Sequence, residues 1–358
     1  MYACYNFLLL LIVLLLLHSI RRSSYTSFLR FRVLSYCGGF AAIFLALAIG
    51  GLDGNLAIHG LAWHGTLFLF ASAFLMYRQK ADGKPRRRLP SLVLAFGCVY
   101  FGLAANTLLF EPTALVVREM TFTTPKITKP MTIVFASDFQ TDHPGRYERW
   151  TLQKIKEQNA DLIILGGDYT QGNSADESRQ AMKKWNRLFH EVDLQAPLGM
   201  YALKGTNVHD WGWWKEKFTD TTIIPLEESI SKSIGEIRVT LLSSRDSWVR
   251  RTIPDEERDD RFRIIAGHHP LYAMAPQEAE LLLAGHTHGG QVQIPFLGLP
   301  IITMSDPLPK SWATGVTPMV NGALLIVSHG TGLDRSSRVP KVRFHCRPDF
   351  WVIRLVPE

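Results

Sequence analysis

The first 110 positions of the chain and the remainder follow different hydrophobic patterns. Four stretches without an acidic or basic residue follow one another, Met1 to Ile20, Val33 to Leu52, Gly54 to Tyr77 and Leu89 to Phe110. Each approximates the ~20 residues that an α-helix needs to cross the hydrocarbon core of a bilayer. Phe7 to Leu17 is aliphatic or aromatic throughout. One such stretch is often the buried helix of a soluble domain. Four of them so close together predict an N-terminal bundle of about four transmembrane helices, at residues 1–20, 33–52, 54–77 and 89–110. A cleaved signal peptide fits poorly: no basic residue precedes the first stretch, no clear small-x-small cleavage site follows, and Arg21 and Arg22 come after it rather than before.

From about Met131 short apolar runs alternate with amphipathic ones, the pattern of an α/β domain covering residues 131–358. Met131 to Asp138 reads as a buried strand ending on an acid, Arg146 to Asn159 as a helix, and Asp161 to Asp168 as a second strand ending on an acid. A polar helix from about Ala175 to His190 and a third strand, Gly199 to Gly205, follow. Between the two regions, residues 111–130 hold three prolines and several threonines and read as a connector.

Charge follows the same division. Of 39 Lys and Arg and 32 Asp and Glu, ten basic and two acidic residues fall in the first 110 positions, leaving 29 basic and 30 acidic for the rest. The net charge of +7 therefore belongs to the loops of the hydrophobic region, not to a folded surface that could track a polyanion, and no nucleic-acid partner is expected. The ten basic residues sit in two loops, Arg21 to Arg32 and Arg78 to Arg88. The positive-inside rule places both loops in the cytoplasm, so that with four spans everything after Phe110 lies on the outer face of the cytoplasmic membrane. Of four cysteines only Cys346 lies beyond the hydrophobic region, which rules out a disulfide framework or thiolate cluster in the α/β domain.

The ends of the apolar runs carry a repeated chemistry: Asp138 and Gln140 in SDFQ, Asp168 in GGD, Asn207 in GTNVHD, His268 in GHHP, and His286 and His288 in GHTHGG. One acid at a strand end is commonly a helix cap. A whole set of oxygen and imidazole donors, each behind an apolar strand and beside glycines, suits a pair of divalent ions such as Mn, Fe or Zn. A carboxylate shared by two such cations holds them close enough to acidify a bound water and to clamp both sides of an in-line phosphoryl displacement.

In this order, D-x-Q, GGD, G-T-N, H-x-P and GHTH resemble the motifs of the calcineurin-like metallophosphoesterase superfamily. GHTHGGQVQIPFLG (residues 285–298) and the closing VSHGTG and VRFHCRPDFWVIRL resemble its membrane-linked, YkuE-like phosphodiesterase branch. The resemblance runs from about Met131 to the C-terminus. It implies a four-layer αββα sandwich, two mixed sheets packed between helices, and a dinuclear phosphoesterase that attacks its ester with metal-bound hydroxide. Carried over residue by residue, it implies that Asp138 and His288 bind one metal, that Asn207, His268 and His286 bind the other, and that Asp168 bridges them. His269 falls outside the motif and reads as a packed or loop histidine.

Two positions depart from the superfamily pattern. Gln140 stands where a histidine is usual, a weaker ligand for the first metal, with Asp142 and His143 close enough in sequence to substitute. GTNVHD puts Val208 where the catalytic histidine is expected, and His209, one residue later, is the candidate proton donor; Asp210 is a weaker one. Trp211, Trp213 and Trp214 adjoin the site in sequence and either line a pocket or pack in the core, and Arg335 and Arg338 follow the SHGTG loop. The expected partners are membrane lipids and a phosphoester, lipid-linked or otherwise part of the envelope. The alternatives are a hydrolase of a nucleotide-linked lipid A precursor and a membrane receptor whose metal site has lost catalysis.

Overall fold

The computed structural model describes residues 54–78, 87–172, 174–206, 212–254, 259–298, 308–334 and 341–358, together with Asp210 and a few single positions and residue pairs before Arg87. The expected spans 1–20 and 33–52 lie outside the described residues apart from isolated positions. The chain divides into two compact units, one of residues up to Phe110 with 336–341, the other of Glu111–Arg335 and Val342–Glu358.

In the first unit two helices are described, α1 (Gly54–Arg78) and α2 (Arg88–Ala105). Pro90 falls within the first turn of α2, where a missing N–H costs nothing. The helices pack through Trp63 and Phe70, whose ring centroids each lie 6.4 Å from that of Phe101. By length and composition Ile58–Arg78 and Arg88–Thr113 are the two helices among the described residues that could cross a membrane. Of the four expected spans, the described residues show two as helices, at the places of the third and fourth.

Among the described residues the second unit holds twelve strands: β1 (Val116–Thr124), β2 (Met131–Ala136), β3 (Leu162–Leu165), β4 (Met200–Leu203), β5 (Ile223–Leu226), β6 (Ile230–Ile234), β7 (Ile237–Leu241), β8 (Phe262–Ala266), β9 (Leu281–Ala284), β10 (Val316–Pro318), β11 (Leu324–Val327) and β12 (Asp349–Pro357). Its helices are α3 (Arg146–Lys156), α4 (Ala175–Val192) and the single turn α5 (Ser244–Ser247). One six-stranded sheet has the order β1-β12-β2-β3-β4-β5 and the other β10-β11-β9-β8-β7-β6. Strands β2 to β5 run parallel, as do β7, β8, β9 and β11.

The unbroken apolar runs follow from burial on both faces of each sheet. Along β2, Ile133 and Phe135 join Leu162, Ile164, Val239, Ile264 and Leu283 in the core between the sheets, while Val134 and Ala136 join Leu152, Ile155 and Trp185 of α3 and α4. The helices are closed locally: Ser174 accepts from the Glu177 N–H at 3.2 Å at the start of α4, and Glu148 accepts from the Gly145 N–H at 2.8 Å at the start of α3.

Two expectations need correction. Segment 111–130 is not a connector, because it holds β1, the edge strand, paired in parallel with β12 from Asp349↔Val116 to Pro357↔Thr124. Its threonines and prolines suggest a loop, but its alternating residues match an edge exposed on one side, with a partner more than 200 positions away. The αββα layering is also incomplete. Over the outer face of the second sheet, where Ile265, Leu282 and Leu325 are buried, the described cover is the 3-10 turns Pro270–Met274 and Lys310–Thr314, carrying Tyr272 and Trp312.

Candidate metal centre

The candidate ligands leave the sheets at the carboxyl ends of parallel strands, where open α/β sheets present functional groups. Asp138 and Gln140 follow β2, Asp168 follows β3, His268 follows β8, and His286 and His288 follow β9. Their backbone is unusual. Asp138, Gln140, Asp168, His286 and His288 have φ of 53°, 24°, 56°, 69° and 48°, in the left-handed region that non-glycine residues seldom enter. Strain repeated at the ends of three strands is a mark of residues aimed by the fold at one place.

That place is a buried cluster. Ligand atoms of Asp168, His268 and His286 lie within 4.8 Å of one another. His268 Nε2 is 3.3 Å from Asp168 Oδ2, and its Nδ1 lies 2.8 Å from the Gly166 carbonyl. The carbonyl requires a proton on Nδ1, so Nε2 is the nitrogen that faces Asp168, a donor when the ring is protonated and a metal ligand when it is neutral. Beside it His288 Nε2 is 3.6 Å from Asp138 Oδ1.

Both carboxylates are oriented from behind. Asp138 accepts from the His286 N–H at 3.0 and 2.9 Å and from Ser137 Oγ at 2.6 Å. Asp168 accepts at Oδ1 from the Thr206 N–H at 2.6 Å and hydroxyl at 3.0 Å, and at Oδ2 from Gln140 Nε2 at 3.1 Å. The chain passes so close that only glycine fits at two points: a Cβ on Gly205 would overlap Asp168 Oδ1, and one on Gly285 would overlap Asp138 Oδ2 and Ser137 Oγ.

The donor set fits a cation. Both ring nitrogens of His288 and the Gln140 carbonyl oxygen are buried without a hydrogen-bond partner among the described residues, a costly arrangement for polar atoms unless they serve as ligands. Charge argues the same way. Burial takes His288 down to about 4. Burial also lowers His268, but the charge and hydrogen bond of Asp168, with Asp138 and the Gly166 carbonyl, outweigh it and hold that ring up at about 10. Two buried carboxylates beside a neutral His288 favour positive charge, met by a proton on His268 or by a metal ion.

Residues other than the candidate ligands hold the site in place. Asp210, weighed as a proton donor, is a buried anchor instead: it accepts from the backbone N–H groups of Asp168 and Gly205 at 2.8 Å each and of Tyr169 at 3.3 Å, and pairs with the fully buried Lys217 at 3.2 Å. Arg343, also fully buried, donates to the carbonyls of Cys346, His329 and Gly332 at 2.9, 2.8 and 2.6 Å. It thereby fixes the loop whose Gly332 N–H reaches the Asp138 carbonyl at 2.7 Å. A lysine in WKEKF and an arginine in KVRF carry no sequence signal of burial, since the partner of Lys217 is a carboxylate seven positions back and those of Arg343 are backbone carbonyls.

The remaining candidates separate. His269 is buried beside the cluster but not within it, its ring 4.3 Å from that of His286 and stacked on Trp248 with centroids 3.8 Å apart, while its Nδ1 accepts from the Leu271 N–H at 3.0 Å. His143 is exposed, with Nδ1 on the Asp142 carbonyl at 2.6 Å, and does not replace Gln140. Trp214 belongs to the core, 6.2 Å from the Tyr169 ring with its Nε1 on Glu227 at 3.2 Å, while the Arg179 guanidinium lies 5.2 Å from the Trp213 ring. Asn207, His209, Trp211, Arg335 and Arg338 lie outside the described residues.

Comparison with known proteins points the same way. The calcineurin-like phosphoesterase family profile matches residues 131–290. Metallophosphoesterase YkuE of Bacillus subtilis is 30% identical over 217 residues, 56% of this chain and 70% of its own. Phosphodiesterase YaeI of Escherichia coli is 23% identical over 209 residues, 56% of this chain and 72% of its own. With two mixed sheets, carboxylates and histidines gathered at their strand ends, and these relatives, the chain belongs to the calcineurin-like metallophosphoesterases, metal-dependent hydrolases of phosphoric esters.

Proposed function

We propose that this chain is a membrane-anchored phosphoesterase that holds two divalent ions of the Mn, Fe or Zn kind and hydrolyses a phosphodiester or phosphomonoester of a lipid or other envelope component. The observation that carries the reading is the cluster of Asp168, His268 and His286, with ligand atoms within 4.8 Å, beside the Asp138–His288 pair at 3.6 Å. In this reading Asp138, His288 and the Gln140 carbonyl hold one ion, His268 and His286 with Asn207 hold the other, and Asp168 is shared. His209 is the proton donor to the leaving group. When bound, the ions acidify the attacking water and offset the charge that develops on the phosphoryl oxygens.

The protein's own contribution is to keep the donors aimed. The His286 N–H and Ser137 hydroxyl prevent Asp138 from rotating, and Thr206 does the same for Asp168. Burial of both carboxylates excludes water that would screen their charge. Gln140 ties the halves together, since its amide nitrogen binds Asp168 while its carbonyl oxygen stays available. The test is metal analysis of the purified chain with hydrolysis of bis-p-nitrophenyl phosphate and phospholipids. Two equivalents of metal and activity that a chelator removes and Mn²⁺ restores are expected; undiminished turnover below one equivalent sinks the reading.

Anchoring is supported by α1 and α2, and by Leu92, Phe96, Val99 and Leu103, large apolar side chains left exposed along α2 as a helix in lipid would leave them. The basic loop between these helices, from Arg78 to Arg88, is assigned to the cytoplasm and the catalytic domain to the outer face. Alkaline phosphatase fused after Phe110 should therefore be active, because that reporter folds only outside the cytoplasm. An inactive fusion, with a cytoplasmic reporter active at the same junction, overturns the placement and favours the nucleotide-linked lipid A precursor as substrate.

A further inference from the structure

A cleft of about 650 Å³ opens beside the ligand cluster. It meets the cluster at two of its walls. Thr206, on one, is the residue that donates to Asp168 at 2.6 and 3.0 Å. Trp248, on another, has its ring centroid 3.8 Å from that of His269 and 5.0 Å from that of His286. A group attached to a phosphorus at the cluster has this volume as its nearest roomy neighbour, and the volume suits a substituent well above the size of one phosphate.

The lining says what kind of substituent. Its charged members are Lys204, Arg245, Glu227 and Glu228. Glu227 is already engaged, by Lys215 at 3.1 Å and by Trp214 Nε1 at 3.2 Å. Lys204 and Arg245 form no salt bridge among the described residues. Glu227 lies in the field of Lys204 as well as Lys215, and Arg245 in that of Asp246, which is itself paired with Arg251, so that four cations stand against Glu227, Glu228 and Asp246 and the balance favours an anion. Trp248 is the one large apolar surface, and a partly exposed one, so an acyl chain would lie against charged groups.

We propose that this cleft is the subsite for the non-scissile part of the substrate and that Lys204 and Arg245 select phosphoesters bearing a second anionic group, a phosphate or a carboxylate, near the scissile phosphorus. The assignment rests on the hydrolytic reading above. Acyl chains, where the substrate has them, stay outside the cleft, so a soluble ester and a lipid with the same polar part are both accommodated. A guanidinium and an ammonium converging on one anion make charge-assisted hydrogen bonds, which corresponds to a preference of roughly tenfold.

The experiment compares glycerophosphoglycerol with its terminal monophosphate, each as the soluble ester and as the diacyl lipid in detergent micelles. The full chain is used, with bis-p-nitrophenyl phosphate run in parallel and products identified by mass spectrometry. The terminal phosphate should raise kcat/KM for cleavage of the diester about tenfold or more, and the ratio should fall toward one in the Lys204→Gln, Arg245→Gln double variant. A ratio near one in the wild type, or one that survives the double substitution, overturns the assignment. The soluble and lipid arms show which source of this chemistry the enzyme prefers. If bis-p-nitrophenyl phosphate is not turned over, the hydrolytic reading fails separately. Calorimetric titration with the two soluble esters then decides the cleft: tighter binding of the terminal phosphate, lost in the double variant, supports the subsite, and equal binding overturns it.

Discussion

Asp168→Ala is expected to retain the fold, lose both metal ions and lower phosphoester hydrolysis by roughly a thousandfold or more, about 4 kcal/mol of transition-state stabilisation. Asp168 is within reach of donors from both sheets: His268 of the second sheet lies 3.3 Å from its Oδ2, and Gln140 of the first sheet donates to the same oxygen at 3.1 Å. Without it two neighbouring cations lose their shared anion and repel each other, an effect that grows in a buried site of low effective dielectric. The fold should survive, because, among the described residues, two of the three hydrogen-bonding groups released, the Thr206 N–H and hydroxyl, sit on a half-buried residue that water can reach, and the third is the side-chain amide of Gln140. Metal content by mass spectrometry, hydrolysis of bis-p-nitrophenyl phosphate and circular dichroism are measured on one preparation. A variant with two ions and more than a tenth of wild-type activity would show that Asp168 is not shared between them.

Asp210→Ala should act on stability first, at about 3–5 kcal/mol, the range for removing one partner of a buried ion pair. Its carboxylate is the acceptor for three backbone N–H groups, those of Asp168, Tyr169 and Gly205, and the counter-ion of Lys217. Both side chains of the pair are fully buried. Burial pulls the Lys217 ammonium below its ordinary range even with Asp210 opposing. Alanine would strand that charge and free the backbone that positions Asp168, so activity should fall with stability. Domains of this size lose roughly 2–4 °C of melting temperature per kcal/mol, which puts the expected drop near 10 °C. Lys217→Met added to Asp210→Ala removes the stranded charge and should recover part of the loss but not the activity. A single variant melting within a degree or two of the wild type would mean that Asp210 does not anchor the Asp168 turn.

Much of the metal centre was legible because burial and chemistry leave separate marks on the chain. A strand buried on both faces must be apolar along its length, so a polar residue that ends the run stands out, as Asp138 does after β2 and as Asp168, His268, His286 and His288 do with a glycine beside them. The uncharged stretches stand out for a similar reason, and two of them are helices long and apolar enough to cross a membrane among the described residues. Gln140 was legible as a departure from a motif. Its dual position, with one amide atom on Asp168 and the other buried without a partner, was not.

What only the tertiary structure decided depends on contacts between distant segments. The strand in 111–130 becomes visible through β12, because an edge strand of threonines and valines is stabilised by its ladder and not by its own pattern. Trp214 and Trp248 look alike in sequence, yet one fills the core against Tyr169 and the other walls the cleft beside His286. Asp210 reads as a catalytic acid from its place after GTNVH, and becomes an anchor once Lys217 and three amides are seen to surround it. Hydrophobic patterning reports which face of an element is buried. It carries no information on which polar group meets which across a closed core, and at this site those pairings set the charge and the strain of every candidate ligand.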